Sequence, residues 1–178
     1  MLSKIQPQFI RAIQASFMEP TVSHTLNHII AKTATKIVNN IVFFQIPFAG
    51  RNRFKALEIR RGYLRGKIAI RGNRNHIGIM YAGALFTLSE LPGGIISKVS
   101  FEPSWFPILK HCEMEFIKPS TTDVTIEIDI PENELERIEK VTAEKGKCDF
   151  KIVGKLYNKH HELVARYHGD YQLRQPKS

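Results

Sequence analysis

The segment from Asn75 to Gly94 places one carboxylate, that of Glu90, within an otherwise apolar helical pattern. Burying an ionisable carboxyl among apolar groups is costly unless the group is paired or takes part in chemistry. Asn75, Gly78 and Gly83 precede it at a spacing that would bring polar loop groups to the start of this helix, with the acid about two turns further along. The arrangement indicates a reaction site that uses a carboxylate.

Structural explanations exist for each of these residues. Glu90 could pair with an arginine or a helix end and only stabilise the fold. Tyr81, at the predicted helix start, could be a packing residue with a satisfied hydroxyl, and Asn75 could be a loop or cap residue. The spacing of Asn75, Gly78, Gly83 and Glu90 favours a functional role for Glu90, whereas Tyr81 and Asn75 remain open.

Composition limits the class of protein. The chain has 178 residues, of which 43% are hydrophobic, and it contains 11 Phe, enough for the core of one ordinary domain. A disordered or collagen-like chain is therefore excluded. A net charge of +9 implies an anionic partner, which could be nucleic acid, a membrane surface or a phosphorylated small molecule.

Cysteine use and the amino terminus bear on location. Cys112 and Cys148 form no CxxC pair and fall in strand-like apolar patterns, which indicates reduced core residues. The first residues lack the apolar core of a secretory signal, and no run of about 18 apolar residues occurs. We expect a soluble protein of the cytoplasm without a transmembrane segment.

The first third of the chain has helical periodicity. Apolar residues recur every three to four positions over 2–19 and again over 22–40, which predicts two helices. Phe43–Arg53, with a proline and a glycine, is interpreted as a connector into β structure. These patterns divide the chain into a helical extension at 1–50 and one domain at 51–178.

The domain at 51–178 is dominated by strand signals. Pro131 begins a predicted surface helix, and the polar turn Asn158–Glu162 predicts a hairpin. Pro92 should end or kink the apolar helix, and Gly93-Gly94 should stop it. The fold class is α+β, an antiparallel sheet of five or six strands wrapped around a central helix at about 80–92. The predicted strands alternate apolar and polar residues over 64–71, 112–116, 124–130, 150–157 and 163–173.

Element order and motif together resemble the hotdog-fold acyl-CoA thioesterases, particularly the branch with the phenylacetate-pathway enzymes. That branch carries Asn-x-x-Gly-x-x-His-Gly-Gly before the central helix and an acid seven residues after the last glycine. The resemblance spans roughly residues 54–174, and Phe-Ile-Lys-Pro at 116–119 is similar to the strand ending that follows the helix. Two departures, Tyr81 for His and Ala82 for Gly, place the chain closer to uncharacterised thioesterase-like relatives. The matching positions are Asn75, Gly78, Tyr81, Ala82, Gly83 and Glu90.

The resemblance implies a role for each position of the motif. The backbone N–H of Ala82, aided by the helix dipole, would polarise the thioester carbonyl, and Gly83 would let the substrate approach. Glu90 would be nucleophile or general base, with a pKa raised by its environment. Asn75 would orient the water or the carbonyl, and Tyr81 would donate a hydrogen bond in place of the usual His.

A dense basic run lies between residues 51 and 74. Arg71 and Arg74 within it could hold the phosphates of coenzyme A, which would be part of the substrate rather than a separate cofactor, although a solvated strand face is an equal explanation for any one member. Nucleic-acid binding is disfavoured because few aromatic residues interleave with this charge. No metal is predicted, since the adjacent His160 and His161 would point apart.

The resemblance also implies an assembly. A single sheet of this kind leaves an exposed edge and a half-built cleft, so we expect a homodimer or a dimer of dimers, with Glu90 of one chain facing the helix start of the other. The predicted activity is hydrolysis of an acyl-CoA or a related acyl-carrier thioester. The alternatives are a non-catalytic protein that binds acyl-CoA or fatty acid, and peripheral membrane contact through N-terminal helices, where Lys4 and Arg11 flank an apolar stripe.

Overall fold

The structure is a computed structural model that describes Arg11, Gln14 and residues 24–176. Its six strands pair antiparallel in the order β1-β2-β4-β5-β6-β3, which confirms the predicted α+β class with an antiparallel sheet. The elements are α1 (His24–Gln45), α2 (Pro47–Arg51), β1 (Phe54–Arg60), β2 (Tyr63–Ile68), α3 (Ala82–Ser100), β3 (Phe106–Phe116), β4 (Val124–Asp129), α4 (Glu132–Lys145), β5 (Lys147–Asn158) and β6 (Leu163–Arg174).

The central strands owe their position to strict alternation. Every second residue of β5 from Cys148 to Asn158 is buried, and the residues between are mostly exposed. The predicted hairpin from β5 to β6 is confirmed. Asn158 holds its turn, because its side-chain oxygen accepts the N–H groups of His160 and Glu162 at 2.9 and 3.0 Å.

Helix α3 lies against the sheet as the predicted central helix. Thirteen of its nineteen residues are buried, and it contacts β1, β2, β3, β4 and β6. Leu88 and Ile96 are completely buried on this helix, as are Leu64, Ile126 and Leu156 on the strands around it. A helix with so little polar surface is stable in water only because it is covered on most sides.

The prediction that α3 stops at Pro92 and Gly93-Gly94 is wrong, because the helix continues to Ser100. The absent side chain of Gly93 makes room for Tyr171, whose ring atom Cζ would lie 2.4 Å from a Cβ at this position. The Tyr171 hydroxyl then donates a hydrogen bond of 3.1 Å to the carbonyl of Glu90. Tertiary packing of these buried turns therefore outweighs the cost of about 3 kcal/mol for an internal proline.

Two local predictions also need correction. The segment Phe43–Arg53 is not a plain connector, because α1 extends to Gln45 and α2 follows at once. The seven-residue strand β1 was not predicted. Its alternation breaks where a register shift occurs between Ala56 and Glu58, so the buried Ile59 falls out of phase with Phe54 and Ala56.

The amino-terminal predictions are only partly within the described residues. The helix predicted over 2–19 lies outside them except for Arg11 and Gln14, which are both helical. Gln14 donates to the carbonyls of Lys98 and Phe101 at the end of α3, and Arg11 pairs with Glu102 at 3.2 Å. Lys4 is not described, so membrane contact stays a prediction. None of the described helices is long and apolar enough to span a membrane.

The two edges of the sheet differ. Asn39 of α1 covers the β1 edge, since its side-chain amide exchanges hydrogen bonds of 2.8 and 2.9 Å with the backbone of Ala56. Strand β3 pairs with β6 on one side, and no described element pairs with its other side. The fold therefore has one closed edge and one open edge.

Candidate functional site

Glu90 lies in the middle of α3 and is half-buried. Its carboxylate makes no ion pair or hydrogen bond with any described residue. Burial alone raises the pKa of this carboxyl above its usual range. The structural explanation for Glu90, a carboxylate neutralised by an arginine, is thus not found within the part of the chain that the structure describes.

Glu90 lines an open-sided cavity of about 350 Å³ between α1, α3, β3 and β6. Most of its lining side chains are aliphatic, and its volume falls within the range of small-molecule sites. Sequence reasoning missed this cavity, because one wall is α1, which the predicted domain boundary assigned to a separate extension. The amphipathic pattern of α1 was the available signal, but it did not show which partner covered its apolar face.

Lys98 and Tyr171, two other polar residues at the cavity, are held in place by hydrogen bonds. The Lys98 ammonium donates to the carbonyls of Pro103 and Trp105 at 2.8 and 2.7 Å, and burial lowers its pKa. The hydroxyls of Tyr171 and Tyr167 lie 2.9 Å apart. Burial raises the pKa of both tyrosines, for Tyr167 to about 12, so both stay neutral near pH 7.

The start of α3 offers backbone donors. Tyr81 is the N-cap residue, and the first intrahelical bonds run from Ala84 and Leu85 to its carbonyl. The preceding amides of Ala82 and Gly83 have no such partner, because the first N–H groups of a helix lie ahead of its hydrogen-bond ladder. Together with the positive end of the helix dipole they form a site suited to an anion or a polarised carbonyl oxygen.

Asn75 and Tyr81 lie on the tight loop that leads into α3. The side-chain oxygen of Asn75 accepts the N–H groups of Ile77 and Ile79 at 3.1 and 3.2 Å, so this oxygen is committed to the turn. Its amide nitrogen bonds to no described residue and remains a donor. The Tyr81 side chain is exposed, and its ring occupies the space beside Gly83, where Cε1 would lie 2.5 Å from a Cβ.

Asn73 is a residue that sequence reasoning missed. Its buried side chain donates to the carbonyls of Asn52 and Ala69 at 2.7 and 2.8 Å, and its own carbonyl accepts the Tyr81 N–H at 2.8 Å. Asn73 therefore ties the start of α3 to the segments that carry Asn52 and Ala69. The Arg-Gly-Asn turn at 71–73, with Gly72 at a φ of +86°, was the available signal.

The predicted phosphate-binding residues Arg71 and Arg74 lie on this loop, and both are exposed. Neither forms an ion pair with a described residue, so their charge is available to a ligand. In the same basic run, by contrast, three members are already neutralised. Arg60 pairs with Asp129, Arg61 with Glu132 and Glu139, and Lys67 with Asp123.

The predicted site residues fall into two groups within one chain. Tyr81, Ala82 and Gly83 lie at the start of α3 and Asn75 on the loop before it, whereas Glu90 lies eight residues beyond Ala82, about 12 Å along the helix axis. A carboxylate and an amide that far apart cannot both contact one thioester carbonyl. No group of three or more metal-ligating His, Cys, Asp or Glu side chains occurs among the described residues.

Comparison with known proteins identifies the family. The profile of DUF4442, a domain of unknown function, matches residues 34–172. A Pseudomonas aeruginosa protein of unknown function, described as a probable thioesterase, is 34% identical, with a TM-score of 0.76 over 80% of this chain and 96% of that chain. No curated protein matches the sequence significantly.

Two more distant structures share the fold. A Haemophilus influenzae thioesterase is 9% identical, with a TM-score of 0.65 over 79% of this chain and 90% of that one. The E. coli PaaI protein, from the phenylacetic acid degradation operon, is 14% identical, with a TM-score of 0.58 over 80% and 94%. The chain therefore belongs to the DUF4442 family and has the hotdog fold of the thioesterases that it resembles.

Proposed function

We propose that this protein hydrolyses an acyl-CoA or a related acyl thioester, with Glu90 as the general base. The observation that carries the proposal is the unpaired, half-buried Glu90 carboxylate at the wall of an apolar cavity. A base with a pKa raised by burial is poised nearer to neutral pH, where it can accept a proton from water. The similar P. aeruginosa protein described as a probable thioesterase supports the same reaction class.

In the proposed reaction, Glu90 takes a proton from a water molecule while the water oxygen attacks the thioester carbon. The carbonyl oxygen becomes an oxyanion, which the free amides at Ala82 and Gly83 stabilise. The C–S bond then breaks, and Glu90 passes its proton to the leaving sulfur. The products are a carboxylic acid and a free thiol. The Tyr81 hydroxyl at the helix start and the Asn75 amide on the preceding loop would be additional donors.

Two copies of the chain are needed to bring these groups together. The 12 Å between Ala82 and Glu90 on one helix leaves each chain with half of the machinery. We propose a homodimer that pairs the open β3 edges and places Glu90 of one chain opposite the helix start of its partner. Two free cysteines fit a reducing compartment, and we place the protein in the cytoplasm.

Removal of the Glu90 carboxylate tests the proposed activity. Thiol release from a panel of acyl-CoAs should fall at least about 100-fold in Glu90→Gln, the lower range for loss of a general base. The matched control is Glu136→Gln on the exposed face of α4, which should turn over as the wild type does. Equal turnover by the wild type and a folded Glu90→Gln protein would refute the role of Glu90.

The coenzyme A part of the proposal has its own test. Arg71→Glu with Arg74→Glu should raise KM for an acyl-CoA while changing KM little for the acyl-pantetheine, which lacks the nucleotide phosphates. An equal rise for both substrates would assign these arginines to the fold rather than to the phosphates. An acyl carrier protein substrate would be affected as well, because its acidic surface also requires a basic partner.

A non-catalytic acyl-CoA or fatty-acid binding protein is the second candidate. The observation that favours it is the Tyr81 ring beside Gly83, where it narrows the approach to the helix amides. Such a protein would be stabilised by acyl-CoA and would release no thiol. Tyr81→His separates the two candidates, since it should raise turnover only if the chemistry is present.

A further inference from the structure

The cavity beside Glu90 follows one stripe of α3. Glu90, Gly94 and Lys98 line it and lie four residues apart, on successive turns of the same face. The stripe from Glu90 to Lys98 covers about 12 Å along the helix axis. The space is therefore long enough to hold an extended chain that starts at the carboxylate.

The walls of this space define the chemistry of its ligand. Among the polar groups at the wall, Glu90 repels an anion, Lys98 already donates to two carbonyls, and the side-chain oxygen of Gln45 is buried without a partner among the described residues. Apart from this Gln45 oxygen, which can accept one hydrogen bond, few groups remain that could satisfy a polar acyl substituent, so a mainly aliphatic ligand fits best. The remaining wall includes Val38 and Val42 of α1, Ile46 between α1 and α2, Leu91 and Ile95 of α3, and Leu109 of β3.

Gly94 keeps the middle of the space open. A Cβ built at this position would meet no atom within 4 Å, in contrast to the neighbouring Gly93, where it would collide with Tyr171. The backbone of Gly94 is ordinary helix, so a larger residue can be accommodated here without backbone strain. Its side chain would extend into the cavity.

We propose that this cavity binds the acyl group of the substrate as a medium-length aliphatic chain, with α1 as its outer wall and Gly94 as a specificity-determining residue. An extended chain advances about 1.2 Å per bond, so 12 Å corresponds to roughly ten carbons. A phenylacetyl group would leave much of this length unfilled, and unfilled apolar space forfeits contacts. The inference rests on the proposed hydrolysis for the position of the thioester at Glu90.

Chain-length profiles of wild-type protein and Gly94 variants test the inference. The panel is butanoyl-, octanoyl-, decanoyl-, hexadecanoyl- and phenylacetyl-CoA, and kcat/KM should be highest for octanoyl- and decanoyl-CoA. In Gly94→Leu the ratio of kcat/KM for decanoyl-CoA to that for butanoyl-CoA should fall at least tenfold, and in Gly94→Ala by less. Ala143→Leu, on the exposed face of α4, is the control for added bulk.

Binding without chemistry separates this inference from the proposed function. The non-hydrolysable decanoyl thioether of coenzyme A should raise the melting temperature of wild-type and Glu90→Gln proteins, and this rise should be lost in Gly94→Leu. Gly94-sensitive binding without thiol release would refute the hydrolysis and uphold the cavity. Glu90-dependent hydrolysis with a flat chain-length profile, unchanged in Gly94→Leu, would overturn the inference and leave the proposed function intact.

Discussion

Strands β5 and β3 differ in how completely the chain covers them. The twelve residues of β5 include six that are buried, and the strand has paired neighbours on both sides. Strand β3 is nearly as long, at eleven residues, but none of them is buried and one edge has no described partner. Its inward-facing Leu109, Cys112 and Met114 are only half covered.

The difference separates the region around β5, which the single chain covers itself, from the region around β3, which it leaves half-exposed. Around β5 the single chain supplies its own core, whereas at β3 apolar side chains are half-exposed and the backbone of one edge pairs with no described residue. Leu109 and Phe106 of β3 also line the cavity next to Glu90. The half-exposed region around β3 is therefore the region that bears the proposed chemistry. This agrees with a proposed site that a second copy of the chain completes.

The largest effect should come from a charge on the half-covered face of β3. Met114→Glu would place an unpaired carboxylate on the core-facing side of β3, where a β3-paired dimer would bury it further, and we expect the dimer dissociation constant to rise at least about 100-fold, or about 2.7 kcal/mol. Turnover should fall with the dimer. Sedimentation of the two species against concentration measures the change, and circular dichroism shows whether the monomer remains folded.

The control for this variant lies on β5, which has paired strands on both sides. Val153→Glu adds the same charge to β5, where the Val153 side chain is 51% exposed and faces away from the core. It should remain dimeric and active. Dissociation in both variants, or in neither, would contradict pairing through β3.

A smaller effect distinguishes two adjacent glycines of α3. Gly93→Ala forces a methyl group against Tyr171, and overpacking of this kind should lower the free energy of unfolding by about 1–3 kcal/mol. Gly94→Ala meets open space and should raise it by about 0.5–1 kcal/mol through helix propensity. Urea denaturation measures both, and equal effects at the two positions would show that Tyr171 does not pack on Gly93.

The smallest effect concerns the stability cost of Glu90. Burial raises the pKa of Glu90 in the folded state, so the folded protein binds this proton more tightly than the unfolded chain does. The protein therefore loses stability as the pH rises from the unfolded pKa of this carboxyl through its folded pKa. Glu90→Gln should therefore stabilise the protein near pH 8 and raise its melting temperature there. The gain should shrink as pH falls towards the unfolded value of about 4.3.

Thermal unfolding across this pH range checks the prediction, with Glu136→Gln as the control, since its exposed carboxylate should give no such gain. A Glu90→Gln protein that is less stable than the wild type near pH 8 would mean that the carboxylate has a stabilising partner.

Much of the fold could be predicted because alternation is a local signal. The patterns around Ile126, Ile152 and Tyr167 each report a buried strand face, and the apolar run after Tyr81 requires a covered helix. The extent of α3 could not be predicted, because the packing of Gly93 on Tyr171 joins residues far apart in sequence. Strand β1 was missed because its bulge interrupts the alternation.

The candidate site divides in the same way. The positions of Asn75, Tyr81, Ala82, Gly83 and Glu90 on one loop and helix followed from their spacing, since they lie within a short segment. The α1 wall of the cavity depends on packing across the sheet, and Asn73 matters through hydrogen bonds to Asn52 and Ala69 that no periodicity encodes. The roles proposed for these residues require a second copy of the chain, which would bring Glu90 to the helix start of its partner.

Activity in mixed dimers tests the shared site most directly. Ala82→Pro removes one backbone N–H where proline is well tolerated, because position 82 is the first residue of α3 and Tyr81 has the extended backbone that precedes proline, with φ −67° and ψ 135°. Ala82→Pro and Glu90→Gln homodimers should each be inactive. In mixed dimers, Glu90 of the first variant faces an intact helix start of the second, so an equal mixture should recover roughly a quarter of wild-type turnover. No recovery in verified mixed dimers would contradict a site formed by two chains.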